Sequence, residues 1–511
     1  MRVMKTSMLC GVIVATTLTA LVDQAFRPAV LSAAGNGNCA GLTALKLPDV
    51  KIAEATAVPA PATGPITVAH CRVAGVIGTE IRFSLLLPDE WNHKFVMGGG
   101  GGFVGSVDNQ AQATVNAGYA TVGTDTGHKG SLTQAAWALN NLERQVNFGY
   151  LAVHRTAEVA KAIVRSYYGS NETRAYFSGC SNGGRQALME AQRYPDDFDG
   201  IVAGAPAYEF TAIGAQFIKD IRAAFPDPGK LTAPFPPELL KSVEGQIVDK
   251  CDALDGLKDG LIDDPRACKV DVATLSGLTD GQRATLKAIY AETKNKDGVI
   301  YPAQPVGGEG QMGGWTLWIA GVNPPLVAAE QAPSLRYAFG TQMFKYFVFN
   351  DPAWDYTRYD LSTYKKDTAM AATFLNATSP NLDAFKRRRG KLMMWHGWSD
   401  PALTALASVR YYEQVQARDA AARDYFRMFM LPGVLHCAGG TGPDSVDWTA
   451  AIDDWVEKGK APERVIAQKR SGVGAAATVV RSRPLCPYPQ HAVYNGTGSI
   501  DEAANFVCRQ P

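Results

Sequence analysis

The chain predicts an α/β fold: a mostly parallel sheet, interrupted by one large insertion and then completed. Three observations carry this. Short apolar runs of strand length alternate with helix-period segments up to Pro206. That rhythm is absent over residues 208–385, where Pro-rich turns, aromatics and an acidic cluster dominate. It resumes at Gly390. Strands alternating with helices argue for a parallel sheet, because both faces of such a sheet are covered by the helices that connect its strands.

The elements follow in order. The start, "MRVMKTSMLCGVIVATTLTALVDQAF", has Arg2 and Lys5 before an uncharged apolar run from Met8 to Val22, with Ser32-Ala33-Ala34 beyond. The run is shorter than the ~20 residues of a membrane span, so residues 1–34 predict a secretory signal peptide and a secreted or periplasmic protein. Phe95 to Met97 form a short strand that enters five glycines, 98–102. Residues 119–124 are a second β-rich run, and Val153, Val159, Ala162 and Ile163 recur at helical spacing. "RAYFSGCSNGGRQALMEAQRYP" reads as strand, tight turn and helix, and Gly200 to Gly204 as a buried strand. After the insertion, "GKLMMWHGWSD" ends a strand at Ser399-Asp400, and "YFRMFMLPGVLHCAGG" ends one near His436. The predicted organisation is a core domain of 35–207 and 386–511 with an inserted domain of 208–385. Ligands of open α/β sheets bind beyond the carboxyl ends of the strands, so an insertion there predicts a lid.

The 511 residues are 46% hydrophobic and 19% charged with a formal net charge of +1. With no basic stripe or acidic tail, nucleic acid and anionic membrane are poor partners. Without Cys10, which lies in the leader, eight cysteines remain, and an even number in an exported chain suggests bridges. Eight allow 105 connectivities, and sequence alone does not choose among them. The simplest set pairs Cys39 with Cys71, Cys251 with Cys268 and Cys486 with Cys508, leaving Cys180 and Cys437 for each other. One of that last pair precedes Ser181 and the other follows His436.

Gly179-Cys180-Ser181-Asn182-Gly183 fits G-x-S-x-G, and it lies between a strand and a helix. In that context the motif is a nucleophile elbow, with the serine hydroxyl lifted clear of the sheet. Ser181, Asp400 and His436 follow in the Ser…Asp…His order of α/β-hydrolases, which predicts that fold with a large inserted lid. His436 would take the serine proton, and Asp400 would hold the imidazole in the required tautomer. An oxyanion hole needs one N–H beside the nucleophile, here Asn182, and one from an earlier loop; the five-glycine run suits the second. His396 competes as base and Asp125 as acid, while His128 reads as structural. In "CDALDGLKDGLIDDPRAC", Asp252, Asp255 and Asp259 crowd into eight residues with Gly256 and Gly260. Such oxygen donors suit a structural Ca²⁺, although the loop lacks the twelfth-position glutamate of an EF-hand.

These residues resemble the tannase and feruloyl esterase family of secreted α/β-hydrolases. Cys180-Ser181 at the elbow and His436-Cys437 at the base match its paired motif, and "FSGCSNGGR", "CDALDGLKDG", "FVFNDPAWDY" and "LPGVLHCAGG" extend the likeness from about Cys39 to Cys508. The resemblance implies a Cys180–Cys437 bond, oxyanion donors at Gly102 and Asn182, and Ca²⁺ held by Asp252, Asp255 and Asp259 with the carbonyls of Leu257 and Leu261. It places Trp318 and Leu403 at the substrate. It also implies hydrolysis of a small or plant-polymer-linked ester of an aromatic acid, feruloyl or galloyl. The family includes a branch acting on mono(2-hydroxyethyl) terephthalate that uses a lid arginine. No arginine stands clearly at that place here, and Arg336 is the nearest to it. A serine peptidase would use the same three residues, but the Cys-Ser and His-Cys pair argues for an esterase.

Overall fold

The computed structural model describes residues 37–61, 63–322, 332–472 and 477–510; the leader predicted at 1–34 lies outside them. Nine strands form the main sheet: β1 (Val50–Val58), β2 (His70–Ile77), β3 (Ile81–Pro88), β4 (Lys94–Gly98), β5 (Ala120–Thr124), β6 (Arg174–Cys180), β7 (Gly200–Gly204), β8 (Lys391–Gly397) and β9 (Phe426–Leu431). Their order is β1-β2-β3-β5-β4-β6-β7-β8-β9. The first three strands and β5 pair antiparallel, and everything from β5 through β4 to β9 is parallel. Every residue of β5 and β7 is buried, as expected of strands covered by helices on both faces.

Two helices frame the centre: α1 (Ala152–Tyr168), ended by Gly169 in the left-handed conformation, and α2 (Asn182–Arg193), which follows β6 at once. Between β7 and β8 the chain leaves the sheet for the insertion. Its helix α3 (Phe210–Ala224) packs into the main core and against α4 (Leu335–Met343). A second core, with Leu240, Val243, Ile247, Leu286, Trp315 and Ile319, is drawn from insertion residues 235–320. The chain returns to the sheet at β8, so Asp400 follows one returning strand and His436 the next. Four disulfides join Cys39 to Cys71, Cys180 to Cys437, Cys251 to Cys268 and Cys486 to Cys508. No helix among the described residues is long and apolar enough to cross a membrane.

Candidate active site

Ser181 occupies the single residue between β6 and α2, with φ 65° and ψ −123°. An L-residue adopts this region only under constraint. The constraint is on both sides: Ser181 N donates to Gly204 O (3.0 Å), and Ser181 O accepts from Ala207 N (3.0 Å) and Arg185 N (3.1 Å). The motif glycines permit the turn by close approach. A Cβ on Gly179 would lie 2.8 Å from the Gly183 backbone, and one on Gly183 would lie 2.4 Å from Gln110 Oε1. Gln110 was not legible as a site residue. Its side chain holds both backbone groups of Cys180, accepting from N at 2.7 Å and donating to O at 3.3 Å.

Asp400 is fully buried and meets four donors. Oδ1 accepts from Ala402 N (2.7 Å) and Leu403 N (2.9 Å); Oδ2 faces His436 Nδ1 (2.7 Å) and His396 Nε2 (3.1 Å). Burial alone would raise this carboxyl, but the two imidazoles outweigh it and hold it below the ordinary carboxylate range. An ionised carboxylate only accepts, so His436 carries its proton on Nδ1 and offers Nε2 as the base. His396 is turned to the same carboxylate oxygen through its other ring nitrogen. Its Nε2 also faces Leu403 O (3.1 Å), and its Nδ1 meets Ser408 Oγ (2.8 Å). Both of its ring nitrogens are therefore engaged with protein groups, and its Nε2 braces the Asp400 carboxylate. Asp125 is tied to Arg82 N (2.9 Å), Gly127 N (2.8 Å) and the Arg82 guanidinium (3.1 Å). His128 stacks on Trp137 at 3.5 Å, contacts Phe103 O through Nε2 (2.9 Å), and has its pKa pushed down to about 4 by burial.

The Cys180–Cys437 bond spans 257 residues and brings two Cα atoms to 5.9 Å. Its ends are the immediate chain neighbours of Ser181 and His436. Cys437 has φ 63°, so the bond joins two strained turns.

Gly98 ends β4, and the other four glycines of the run differ in what their N–H groups meet. Gly99 N donates to Ser178 O (3.0 Å), Gly100 N to Gln186 Oε1 (3.0 Å) and Gly101 N to Asp108 Oδ2 (2.9 Å). Gly102 N finds no acceptor among the described residues. Its φ of 53° and a phantom Cβ 2.5 Å from Leu132 O require glycine. Asn182 opens α2, where backbone N–H groups have no intrahelical partner. Its side chain links the two loops, donating to Gly100 O (3.1 Å) and accepting from buried Arg185 Nε (2.8 Å).

Gly102, Asn182, Ser181 and His436 border one cavity of about 440 Å³, its open mouth included. The remaining wall includes Phe103, Phe210, Ile213, Phe217, Phe339 and Met343, together with the expected Trp318 and Leu403. Trp318 meets the His436 ring edge-on at 4.9 Å. The four phenylalanines carried no sequence signal, since core and pocket aromatics look alike in a chain.

Comparison with known proteins adds to this geometry. The family described as Tannase and feruloyl esterase matches residues 66–509. The chain belongs to that family. An uncharacterized esterase of Xanthomonas campestris is 34% identical over 93% of this chain and 92% of its own length. Mono(2-hydroxyethyl) terephthalate hydrolase of Piscinibacter sakaiensis is 32% identical over 93% and 90%. The crystal structure of feruloyl esterase B from Aspergillus oryzae superposes with a TM-score of 0.82 at 26% identity, covering 92% of this chain and 99% of that one. This member of the tannase and feruloyl esterase family is a carboxylic ester hydrolase with an α/β-hydrolase fold.

Within this family member, the acidic loop of the insertion closes on itself. Asp252 Oδ1 accepts from Asp259 N (3.1 Å) and Gly260 N (3.0 Å), Asp255 Oδ1 from Leu257 N (3.0 Å) and Asp259 Oδ1 from Leu261 N (3.2 Å). The Cys251–Cys268 bond brackets it. Burial and the neighbouring Asp255, Asp264 and Asp259 push Asp263 up to about 7, against the opposing charge of Arg483, which pairs with Asp259. The donor types are hard oxygens and fit a divalent cation, but the loop carboxylates do not close on a point. Among the described residues, the trio whose ligand atoms all lie within 4.8 Å is His154, Glu190 and Asp197, where Lys161 also contacts the Asp197 carbonyl. Arg336 is fully buried away from the cavity. It pairs with Asp220 and donates to Gln304 Oε1 (2.6 Å) and Pro401 O (2.7 Å), while Gln304 donates to Asp400 O (2.9 Å).

Proposed function

We propose that this chain is an exported hydrolase of aromatic carboxylic acid esters, with residues 208–385 as a lid. Ser181 attacks the ester carbonyl while His436 Nε2 takes its proton. The Gly102 and Asn182 N–H groups receive the oxyanion. Protonated His436, oriented by Asp400, returns the proton to the leaving alcohol, and water then releases the acid from the acyl-enzyme. The observation that carries this reading is the placing of Ser181, His436 and the free Gly102 N–H around one aromatic-lined cavity. The insertion supplies Trp318, Phe339 and Met343 to that cavity, which supports the lid. Four disulfides support export. Asp252, Asp255 and Asp259, with the Leu257 and Leu261 carbonyls, would hold Ca²⁺, which would neutralise the crowded carboxylates and take no part in the reaction.

The test is hydrolysis of methyl cinnamate, methyl ferulate and methyl gallate by the mature protein, beside Ser181→Ala. Turnover that disappears in the variant supports the reading. Turnover that survives it, or none on any ester, refutes it.

A further inference from the structure

We infer that the insertion supplies positioning residues to the triad: Gln304, held by Arg336, fixes the turn that carries Asp400. This rests on the catalytic reading above. Asp400 follows β8 and opens a turn, 400–404, in which the N–H groups of Ala402 and Leu403 are spent on its own carboxylate. The first two carbonyls of the turn receive hydrogen bonds from the insertion. Gln304 Nε2 donates to Asp400 O (2.9 Å), and Arg336 donates to Pro401 O from Nε (3.0 Å) and Nη2 (2.7 Å). The two side chains are joined, since Arg336 Nη2 also donates to Gln304 Oε1 (2.6 Å). At the far end of the turn, Thr404 Oγ1 donates to Ala303 O (2.6 Å). Asp220 on α3 pairs with Arg336 on α4. Asp220, Gln304, Arg336, Asp400 and Thr404 are each at most 3% exposed.

These bonds are made away from water, and they are directional. A guanidinium fork and a primary amide fix orientation as well as distance, which an ammonium or an apolar side chain of similar volume does not. The insertion also meets the core elsewhere. Gln342, on α4 and as buried as Gln304, accepts from Ala135 N through Oε1 (2.9 Å). That bond ends on a loop that carries no triad residue, so the two glutamines separate positioning from stability.

The experiment compares Gln304→Met with Gln342→Met in the mature enzyme, on 4-nitrophenyl cinnamate, whose good leaving group keeps slow variants measurable. Both variants should lower Tm. Only Gln304→Met should lower kcat, by about tenfold well below Tm and with KM within twofold, because a slack acid turn misplaces His436 and leaves the acyl cavity as it was. A folded Gln304→Met variant with kcat within twofold of the parent, or with its loss in KM, overturns the inference, and so does an equal kcat loss in Gln342→Met. If Gln304→Met does not fold, Arg336→Lys takes its place: it keeps the charge beside Asp220, loses the fork, and should lower kcat at least about threefold. An unchanged kcat there would also overturn the inference. A double-mutant cycle with Asp400→Ala asks whether the effect passes through the acid. Gln304→Met should change the residual kcat of Asp400→Ala by less than twofold; an equal loss in both backgrounds means that only the positioning inference has failed. If Ser181→Ala retains turnover, or Asp400→Ala keeps more than a tenth of the parent kcat, the catalytic reading itself has failed.

Discussion

Replacing Cys180 and Cys437 together by alanine tests what the bond beside the serine does. Its loop of 257 residues is long. By loop-closure entropy its removal would cost at most about 5.5 kcal/mol, and measured native bridges typically give ~2–5 kcal/mol. The Cys251–Cys268 bond lies inside this loop but shortens it by only 17 residues, worth under about 0.1 kcal/mol; about 4 kcal/mol, in the upper part of the measured range, is expected. At ~2.1 cal/mol/K per residue over roughly 470 residues, that lowers Tm by about 4 °C. The catalytic effect is separate. Cys437 holds φ 63° next to His436, a conformation that costs ~1–3 kcal/mol and persists only while held. Releasing it lets His436 drift, and a misplacement near 1 Å costs ~100-fold in rate. The double variant should therefore lose 10- to 100-fold in kcat on methyl cinnamate (about 1.4–2.7 kcal/mol of barrier), with KM little changed. Differential scanning calorimetry reads the stability, and the Cys39→Ala/Cys71→Ala variant serves as control, losing stability alone. A Cys180/Cys437 variant with lower Tm but kcat within twofold of the parent would refute the positioning argument and leave the bond a simple staple.

Three further outcomes are expected. Asp400→Asn must set an amide NH₂ against two of the four donors that now meet the carboxylate, so kcat should fall about 10⁴-fold, as in other triads where the acid becomes an amide; a variant retaining a tenth of the parent rate contradicts this role. Glu309 is fully buried, accepts from Gly307 N (2.7 Å) and Tyr290 Oη (2.8 Å), and is pushed up to about 7 by burial. Its contribution is present below the unfolded value near 4.3 and is lost as pH rises through 7, about 4 kcal/mol in all. Glu309→Gln should therefore gain stability over the parent between pH 5 and pH 8 in thermal melts, and parallel Tm profiles would count against it. Chelation with EDTA should lower Tm, with recovery on adding Ca²⁺, while kcat well below Tm stays within twofold; an unchanged melt would remove calcium from the acidic loop.

Much of the site was legible because its signals are short. Ser181 needs a strained strand-to-helix turn, and glycines at 179 and 183 announce it. Asp400 and His436 stand at the ends of recognisable strands, in a chain order that has a mechanical meaning. Cysteines adjoining the serine and the histidine suggested the bond that joins them. Each of these can be read within about ten residues.

The rest depended on partners far along the chain. Five consecutive glycines look alike in the sequence; Gly98 ends β4, Ser178, Gln186 and Asp108 take the N–H groups of Gly99, Gly100 and Gly101, and Gly102 N is left without an acceptor among the described residues. His396 and His436 are both histidines near strand ends that reach the same oxygen of Asp400, and what separates them is that His396 has its second ring nitrogen tied to Ser408. Arg336 could have faced the substrate, but Asp220, more than a hundred residues away, draws it behind Phe217. The chain's own sequence determined the fold class and the chemistry, because local backbone geometry and side-chain type suffice for those. Which glycine N–H lacks an acceptor among the described residues, which imidazole borders the cavity beside Ser181 and which side chains line that cavity were decided by tertiary packing, because hydrogen-bond saturation and burial belong to neighbours that only the folded chain brings together.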